Sequence, residues 1–530
     1  MAKTNLIFEV EGKPSLPKLL LFAFQQVLAV LAATILVPTI IGLPVQIPAA
    51  ILGAGLGTIV YLLFTKFKSP VVISSSFAFL GALANAIAFG YMGIILGGLF
   101  AGLVYVVIAL VIKFAGTAWV EKLMPPVIIG PTVALIGLSL AGNATADIVT
   151  ATAASVNHAY NLVALFCGLV TFFTVVICSV QNRFKSGRLV PFILGILAGY
   201  VVASIFTAIG MAAKVDYLKI IDWSPLVNNF KNLSVESFVT YPRFSLIGGI
   251  KELINGGVDR NVMLAYISNN DTLKAIFKDE VVKNLNDAQL LEAIKAANNG
   301  NGPQRITWIG VAEVALAFIP VAFVTFAEHI ADHKNLSSVI DRDLLNEPGL
   351  SRTLLGDGVG SMVGTVFGIC PNTTYGESVG CVAITKNASV RTIFVAACML
   401  IVLAFLSPVT AALRTIPNCV MGGVCLTLYG FIAVSGFKMF QKVDLNQSKN
   451  LFIVAAILIS GIGGLSLQIP YAVAANGAVT KTIQITSIAT ALILGIVTMV
   501  VCNAIEKLNA PEKDENDDVS EAQIAEEVEE

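Results

Sequence analysis

Ser74-Ser75-Ser76-Phe77-Ala78 and Asn372-Thr373-Thr374-Tyr375-Gly376 are two short polar stretches in apolar surroundings, and the second runs directly into Glu377. Each has three small polar residues, then an aromatic, then a small residue. Backbone that stops being helical at membrane depth persists only where protein buries it or where it lines a cavity, because lipid offers no hydrogen-bond partners. Matching interruptions in the two halves of a chain point to a transporter's binding site. Ionisable groups in membrane segments are functional candidates, so Glu377 marks the second break chemically.

The flanking sequence supports a membrane setting. The 530 residues are 56% hydrophobic and 13% charged, with a net charge of -1 and a mean hydropathy of +0.83. A soluble domain carries roughly 25% charged residues. A spanning helix takes about 20 apolar residues. Fourteen segments qualify, two of them broken: 18–43, 46–65, 70–90, 91–112, 122–142, 159–180, 190–211, 307–331, 353–370, 371–386, 392–411, 415–437, 450–471 and 481–504. With both termini cytoplasmic, the inside segments hold twenty Lys and Arg, including Lys66, Lys68, Arg183, Lys185, Arg188, Arg342, Lys438 and Lys442. The short outside loops hold only Arg414 and Lys481. That asymmetry follows the positive-inside rule, which does not govern the long outer segment 212–306.

Pro125-Pro126-Val127-Ile128-Ile129-Gly130 opens the fifth span, and Pro417-Asn418-Cys419-Val420-Met421-Gly422 opens the twelfth, 292 residues later. The polar interruptions are 298 residues apart, in spans 3 and 10. An offset of seven spans is odd, so the two copies face opposite ways. The predicted fold is all-α and polytopic, with fourteen segments as two inverted repeats of seven and short extended pieces at spans 3 and 10.

Span 8 carries Glu328, His329, Asp332 and His333. Glu328 and Asp332 are four apart and share a helix face. A carboxylate near the bilayer centre costs several kcal/mol unless protonated or paired, which makes both candidates for proton coupling. The competing reading leaves Asp332 and His333 solvated at the cytoplasmic end of the span. Amides of a helix that starts at mid-membrane lack intrahelical partners and can bind a ligand. Two such starts with two carboxylates between them suit a flat polar ligand with adjacent N–H and C=O groups, and Phe77 and Tyr375 are placed to sandwich its ring. The eight Cys all lie in apolar spans and read as packing residues. No metal site, cofactor, nucleic-acid partner or cleavable signal is expected. Segment 251–306 reads as two short amphipathic helices in a solvated outer insertion, and the acidic tail 505–530 as disordered.

Glu377 to Lys386 reads E-S-V-G-x-x-x-x-T-K. It resembles the signature of the nucleobase–ascorbate transporter family. Pro371 to Gly376, Glu328-His329-Ile330, Asp343-Leu344-Leu345, Arg414-Thr415-Ile416-Pro417 and Gln25-Gln26 through Pro38 are similar to its bacterial uracil permease branch. The resemblance implies a core domain of spans 1–4 and 8–11 (18–112, 307–411) and a gate domain of spans 5–7 and 12–14 (122–211, 415–504). The cytoplasmic N-terminus 1–17 and the outer loop 212–306 flank them. It implies that Glu328 and Glu377 bind the base, that backbone at Phe77 and Gly376 touches it, and that Ala33, Tyr375 and Tyr429 wall it. Gln26, Ser378 and Thr374 would support the site. Gln26 stands where the family usually has His, and Ser378 where the signature has Asn.

The expected function is secondary active import of uracil by proton symport across a bacterial cytoplasmic membrane, with alternating access between core and gate. Expected partners are the nucleobase, protons and the bilayer, with a homodimer as candidate assembly. Xanthine or another oxopurine is the alternative cargo. An anion exchanger or channel on a seven-plus-seven fold is the rival class, and it should place a cation beside the paired helix starts. A membrane enzyme has no nucleophile–base or metal set to support it.

Overall fold

The two polar interruptions, so distant in sequence, meet. In the computed structural model, which describes residues 6–151, 160–181, 191–277, 279–298, 301–441, 443–473 and 479–508, Ile73–Ser75 (β1) and Asn372–Thr374 (β2) form a two-stranded antiparallel sheet. Its register pairs Ile73 with Thr374, Ser74 with Thr373 and Ser75 with Asn372. Every residue of both strands is buried. Buried backbone must find partners, and each strand supplies the other's.

Side chains from the surrounding helices complete the arrangement. Thr58 Oγ1 donates to the Ile73 carbonyl and accepts the Ile73 N–H, both at 3.1 Å. Thr34 and Ser74 hydroxyls are 2.6 Å apart. Asn372 Nδ2 donates to the Gly53 carbonyl at 2.9 Å, and the Ser361 hydroxyl donates to the Asn372 carbonyl. Asn372 fits only because Gly57 and Gly364 lack a Cβ, which at either position would fall within 2.4 Å of its side chain.

The rest is predominantly helical. Among the described residues nine helices are long and apolar enough to cross a bilayer. They include Leu16–Ile40, Pro126–Asp147 and Trp308–Ile340. Phe77–Ala115 spans the expected segments 3 and 4, turning at Gly90, whose φ is 70°. The remaining expected segments coincide with shorter elements: Leu350–Val363, Gly376–Thr385, Val390–Ala404 and Ser448–Ile462.

Three expectations need correction. The helix expected at 307–331 runs from Trp308 to Ile340, so Asp332 and His333 lie inside it and are buried. The helix expected at 450–471 stops at Ile462, where Gly463 and Gly464 follow and Gly464 adopts a φ of 73°. Beyond it Leu467–Val473 (β3) pairs antiparallel with Val479–Ile485 (β4), Leu467 opposite Ile485. The expected span takes in 467–471 because a short apolar run fits a strand as well as a helix. The outer insertion is also larger than two solvated helices. Ser245–Asn255, Arg260–Ser268, Asp271–Ile276, Asp279–Lys283 and Asp287–Ala297 form part of it. Met263, Ile267, Leu273, Phe277, Leu290 and Ile294 make a small core of their own. The tail beyond Leu508 and the loop bases Arg183, Lys185, Arg188 and Lys442 fall outside the described residues.

The insertion docks on the helices. Asn269 Nδ2 donates to the Ile41 carbonyl at 2.9 Å and Gln304 N–H to the Ala88 carbonyl at 2.8 Å. Buried Glu252 accepts the Tyr91 N–H at 2.9 Å and the Asp259 N–H at 3.3 Å. Its carboxylate occupies the space that a Cβ on Gly90 would take. Burial raises the Glu252 pKa to about 7, against the pull of those amides, and the Asp259 charge adds to the rise. Arg305 lines the same small recess. The folded pKa lies above the ordinary value, so docking is firmest when Glu252 is protonated and weakens as pH rises through about 7. Amide exchange at Tyr91 and Asp259, corrected for intrinsic rates, should quicken from pH 5 to 8. Glu252→Gln should flatten that dependence; an unchanged pH profile in the variant would remove Glu252 as the cause.

Candidate functional site

The helix Gly376–Thr385 starts directly after β2, with Tyr375 as its N-cap. Glu377 sits in its first turn, where a carboxylate is favoured by the helix dipole. On the other side, a 3₁₀ turn Phe77–Phe79 and the helix Leu80–Ala86 follow β1. The Ser76 N–H donates to the Pro371 carbonyl at 3.0 Å, so the pairing of the two crossing segments continues past the Ser75–Asn372 end of the ladder.

A cavity of about 920 Å³ opens against this crossing. Phe77, Glu328, Asp332, Tyr375, Gly376 and Glu377 all line it. It extends along the Glu328 helix to exposed Asn335 and Ser338, and to Ile384 and Lys438. Lys438 is the one basic side chain among the described lining residues, and it stands at the open end. The inner end is therefore acidic, with three carboxylates converging on a small volume. Thr374 Oγ1 donates to Asp332 Oδ2 at 3.0 Å. A Cβ on Gly376 would lie 3.6 Å from Asp332 Oδ1, so that carboxylate also neighbours the helix start.

Two of the expected wall residues are placed differently. Ala33 is fully buried and does not line the cavity, whereas Leu28 and Ala29 of the same helix do. Tyr429 stands behind Phe77, edge-on with ring centroids 5.4 Å apart. Tyr375 reaches across the strands, its hydroxyl donating to the Ser75 carbonyl at 3.0 Å.

Gln26 and Ser378, the two expected supporting residues that differ from the resembled signature, are hydrogen-bonded to each other. The Ser378 hydroxyl donates to Gln26 Oε1 at 2.9 Å and accepts the Val72 N–H at 3.0 Å. Gln26 Nε2 donates to the Ser378 carbonyl at 3.4 Å. The first helix, the approach to β1 and the Glu377 helix are thus joined through one hydroxyl.

The sequence reading missed a second polar layer behind Asp332. His329, with no exposure, places Nδ1 2.7 Å from Asp357 Oδ2 and Nε2 3.0 Å from Thr353 Oγ1. His333 stacks on it at 4.0 Å between ring centroids and donates from Nδ1 to the His329 carbonyl at 2.8 Å. Its Nε2 lies 2.7 Å from the Tyr61 hydroxyl. Two signals were available. His329 and His333 repeat the four-residue spacing of Glu328 and Asp332 on the adjoining face, and Asp357 is a lone carboxylate between Gly356 and Gly358.

The chain is a membrane permease, not an enzyme, as the family and relatives it matches are permeases. The chain belongs to the nucleobase–ascorbate transporter family and is uracil permease-like within it: residues 17–247 and 302–469 match the Permease family model Xan_ur_permease. It is 33% identical to the uracil permease of Bacillus caldolyticus over 92% of this chain and 93% of that one. It is 28% identical to the uracil permease of Escherichia coli (strain K12), over 88% and 89%. Among solved structures it shares the fold of the murine anion transporter Slc26a9 in its inward-facing state. That likeness has a TM-score of 0.55 at 11% identity, over 93% of this chain and 69% of that one. The family match skips 248–301, which includes Glu252 and most of the insertion's helices.

Ser378→Ala would leave the buried Val72 N–H and Gln26 Oε1 without partners, at about 1–3 kcal/mol each. The purified variant should melt several degrees below the parent. An unchanged melting temperature would show that the shared hydroxyl contributes nothing to holding the three elements.

Proposed function

We propose that this protein imports uracil by proton symport across a bacterial cytoplasmic membrane. The observation that carries the reading is the convergence of Glu328 and Glu377 on one cavity beside the two helix starts that flank the crossed strands. Uracil presents two N–H donors and two carbonyl acceptors around a flat ring. The carboxylates accept from the ring N–H groups, and backbone amides at Phe77 and Gly376 donate to its carbonyls. Phe77 and Tyr375 flank the ring. Similarity to uracil permeases over nine-tenths of the chain supports the cargo, with xanthine as the alternative. The acidic inner cavity argues against an anion as cargo.

In this reading fourteen segments form two inverted repeats of seven, and the antiparallel pairing of β1 with β2 fits that symmetry. The core comprises 18–112 and 307–411, and the gate 122–211 and 415–504. Both termini lie in the cytoplasm. The cavity reaches the end that carries Asn335 and Lys438, which is then the cytoplasmic end, so the state is open inward. Glu328 or Asp332 carries the coupled proton. A homodimer is the proposed assembly.

Labelled uracil and xanthine should be offered to proteoliposomes with and without a pH gradient. Uracil should accumulate against its gradient only when the gradient is imposed. Glu377→Ala should abolish uracil binding, because ring donors left unpaired in the cavity cost about 1–3 kcal/mol each. Full affinity in that variant would sink the site.

Alternating access has a direct test. A Cβ built on Gly81 lies 3.9 Å from Thr486 Cβ, across the outer contact between proposed core and gate. A disulfide needs Cβ atoms about 3.5–4.5 Å apart. In a background without the eight native Cys, Gly81→Cys with Thr486→Cys should cross-link on oxidation and stop uptake, and a reductant should restore it. Full-rate transport by the cross-linked protein would mean that these two positions never part.

A further inference from the structure

The helices that carry the three carboxylates end close to one another. Trp308–Ile340 is capped by Asp341 and Gly376–Thr385 by Lys386, each in the left-handed region at a φ of 54°. Both ends are held by the same segment near the N-terminus. The Ile7 and Phe8 N–H groups donate to the Lys386 carbonyl at 2.7 and 3.3 Å. The Phe8 carbonyl accepts the Ala388 N–H at 2.9 Å, and the Val10 carbonyl accepts the Val390 N–H at 3.0 Å. The Ser389 hydroxyl donates to the Gly12 carbonyl at 2.7 Å. One residue beyond Asp341, Arg342 forks onto Glu11 with bonds of 2.6 and 2.8 Å and approaches Glu9 at 3.6 Å.

Val10 anchors the segment. It is 2% exposed and belongs to the main core. The Phe8 ring packs edge-on against Phe22 of the first helix, centroids 6.2 Å apart. The Arg342 fork is half-exposed, so salt screens it and it contributes less than the backbone pairing. The Glu377 helix has only ten residues, too few to hold its own geometry without outside contacts.

We propose that residues 7–12 are a positioning strap for the binding site, joining the far ends of the Glu328 and Glu377 helices into one body and so fixing the spacing of the three carboxylates. This rests on the uracil-binding reading for its effect on affinity. None of the hydrogen-bond partners named above lines the cavity, so the strap acts through the two helices. Because its partners all lie in the proposed core, it travels with the core during transport and does not gate the cavity.

Val10→Asp unseats the anchor without touching the site. Two readouts separate positioning from general stability. Without ligand, amide exchange over 376–390 should rise at least tenfold while the helix Ser448–Ile462 exchanges as in the parent. Uracil Kd should rise about tenfold, the scale expected when a binding group is misplaced by a fraction of an ångström. Should Val10→Asp fail to fold, Arg342→Glu should show both effects more weakly, and Arg342→Glu combined with Glu11→Arg should reverse them. Unchanged exchange over 376–390 overturns the strap. Raised exchange with unchanged Kd overturns its positioning role. The exchange arm needs no uracil, so it decides the strap even if the parent protein proves not to bind uracil.

Discussion

Six residues of backbone pair where no lipid-facing backbone could. β1 and β2 are each three residues long, and everything near the cavity depends on their crossing. A break in a membrane helix exposes amides and carbonyls that cost several kcal/mol each if left without partners. Here the two breaks satisfy each other, Thr58 and Ser361 bond strand backbone that the ladder leaves, and the Ser74 and Asn372 side chains are tied to Thr34 and to the Gly53 carbonyl. The glycines at 57 and 364 give Asn372 its space. Once the strands are fixed, the helix starts beside them are fixed too, and Phe77 and Glu377 arrive at one place from opposite halves of the chain.

Carboxylates then collect on a single face. Asp332 takes a hydrogen bond from Thr374, so the Glu328 helix is registered to β2 by a side chain. Behind it the His329–Asp357 contact and the His333–Tyr61 contact bury four more polar groups, each with a side-chain partner. Buried polar networks tolerate little rearrangement, because losing one partner strands the other. The Gln26–Ser378 pair shows the same logic. Two departures from the family pattern meet in one hydrogen bond, and together they still serve the Val72 amide.

Away from the crossing, the chain adds its own parts. The insertion docks on Ile41, Ala88 and Tyr91 through backbone groups that helix ends leave available. The β3–β4 hairpin follows Ser448–Ile462 and packs its second strand toward the Glu328 helix. The insertion falls largely where the family match is interrupted, and most of the hairpin lies beyond the end of that match. Neither contributes a lining residue to the cavity.

Hydropathy and charge in the sequence were enough for the membrane class, for most helix positions and for the two breaks, because lipid imposes length and composition on any segment that enters it. Glu328 and Glu377 were also legible there, since carboxylates are rare in such segments. Other features depended on contacts between distant residues. That Ser74 pairs with Thr373 and that Ser378 bonds Gln26 is set by packing across more than 290 residues of chain. Hydropathy falls near Lys334, which is what left solvation open as the competing reading for Asp332 and His333; the helix continues to Ile340 and both are buried. The outer ends of the expected spans 450–471 and 481–504 read as helix, though they form the hairpin's strands, because a short apolar run carries no decisive period. Sequence determines what a segment can bury; only the tertiary structure decides which partner buries it, because hydrogen bonds and close contacts depend on positions that no single segment contains.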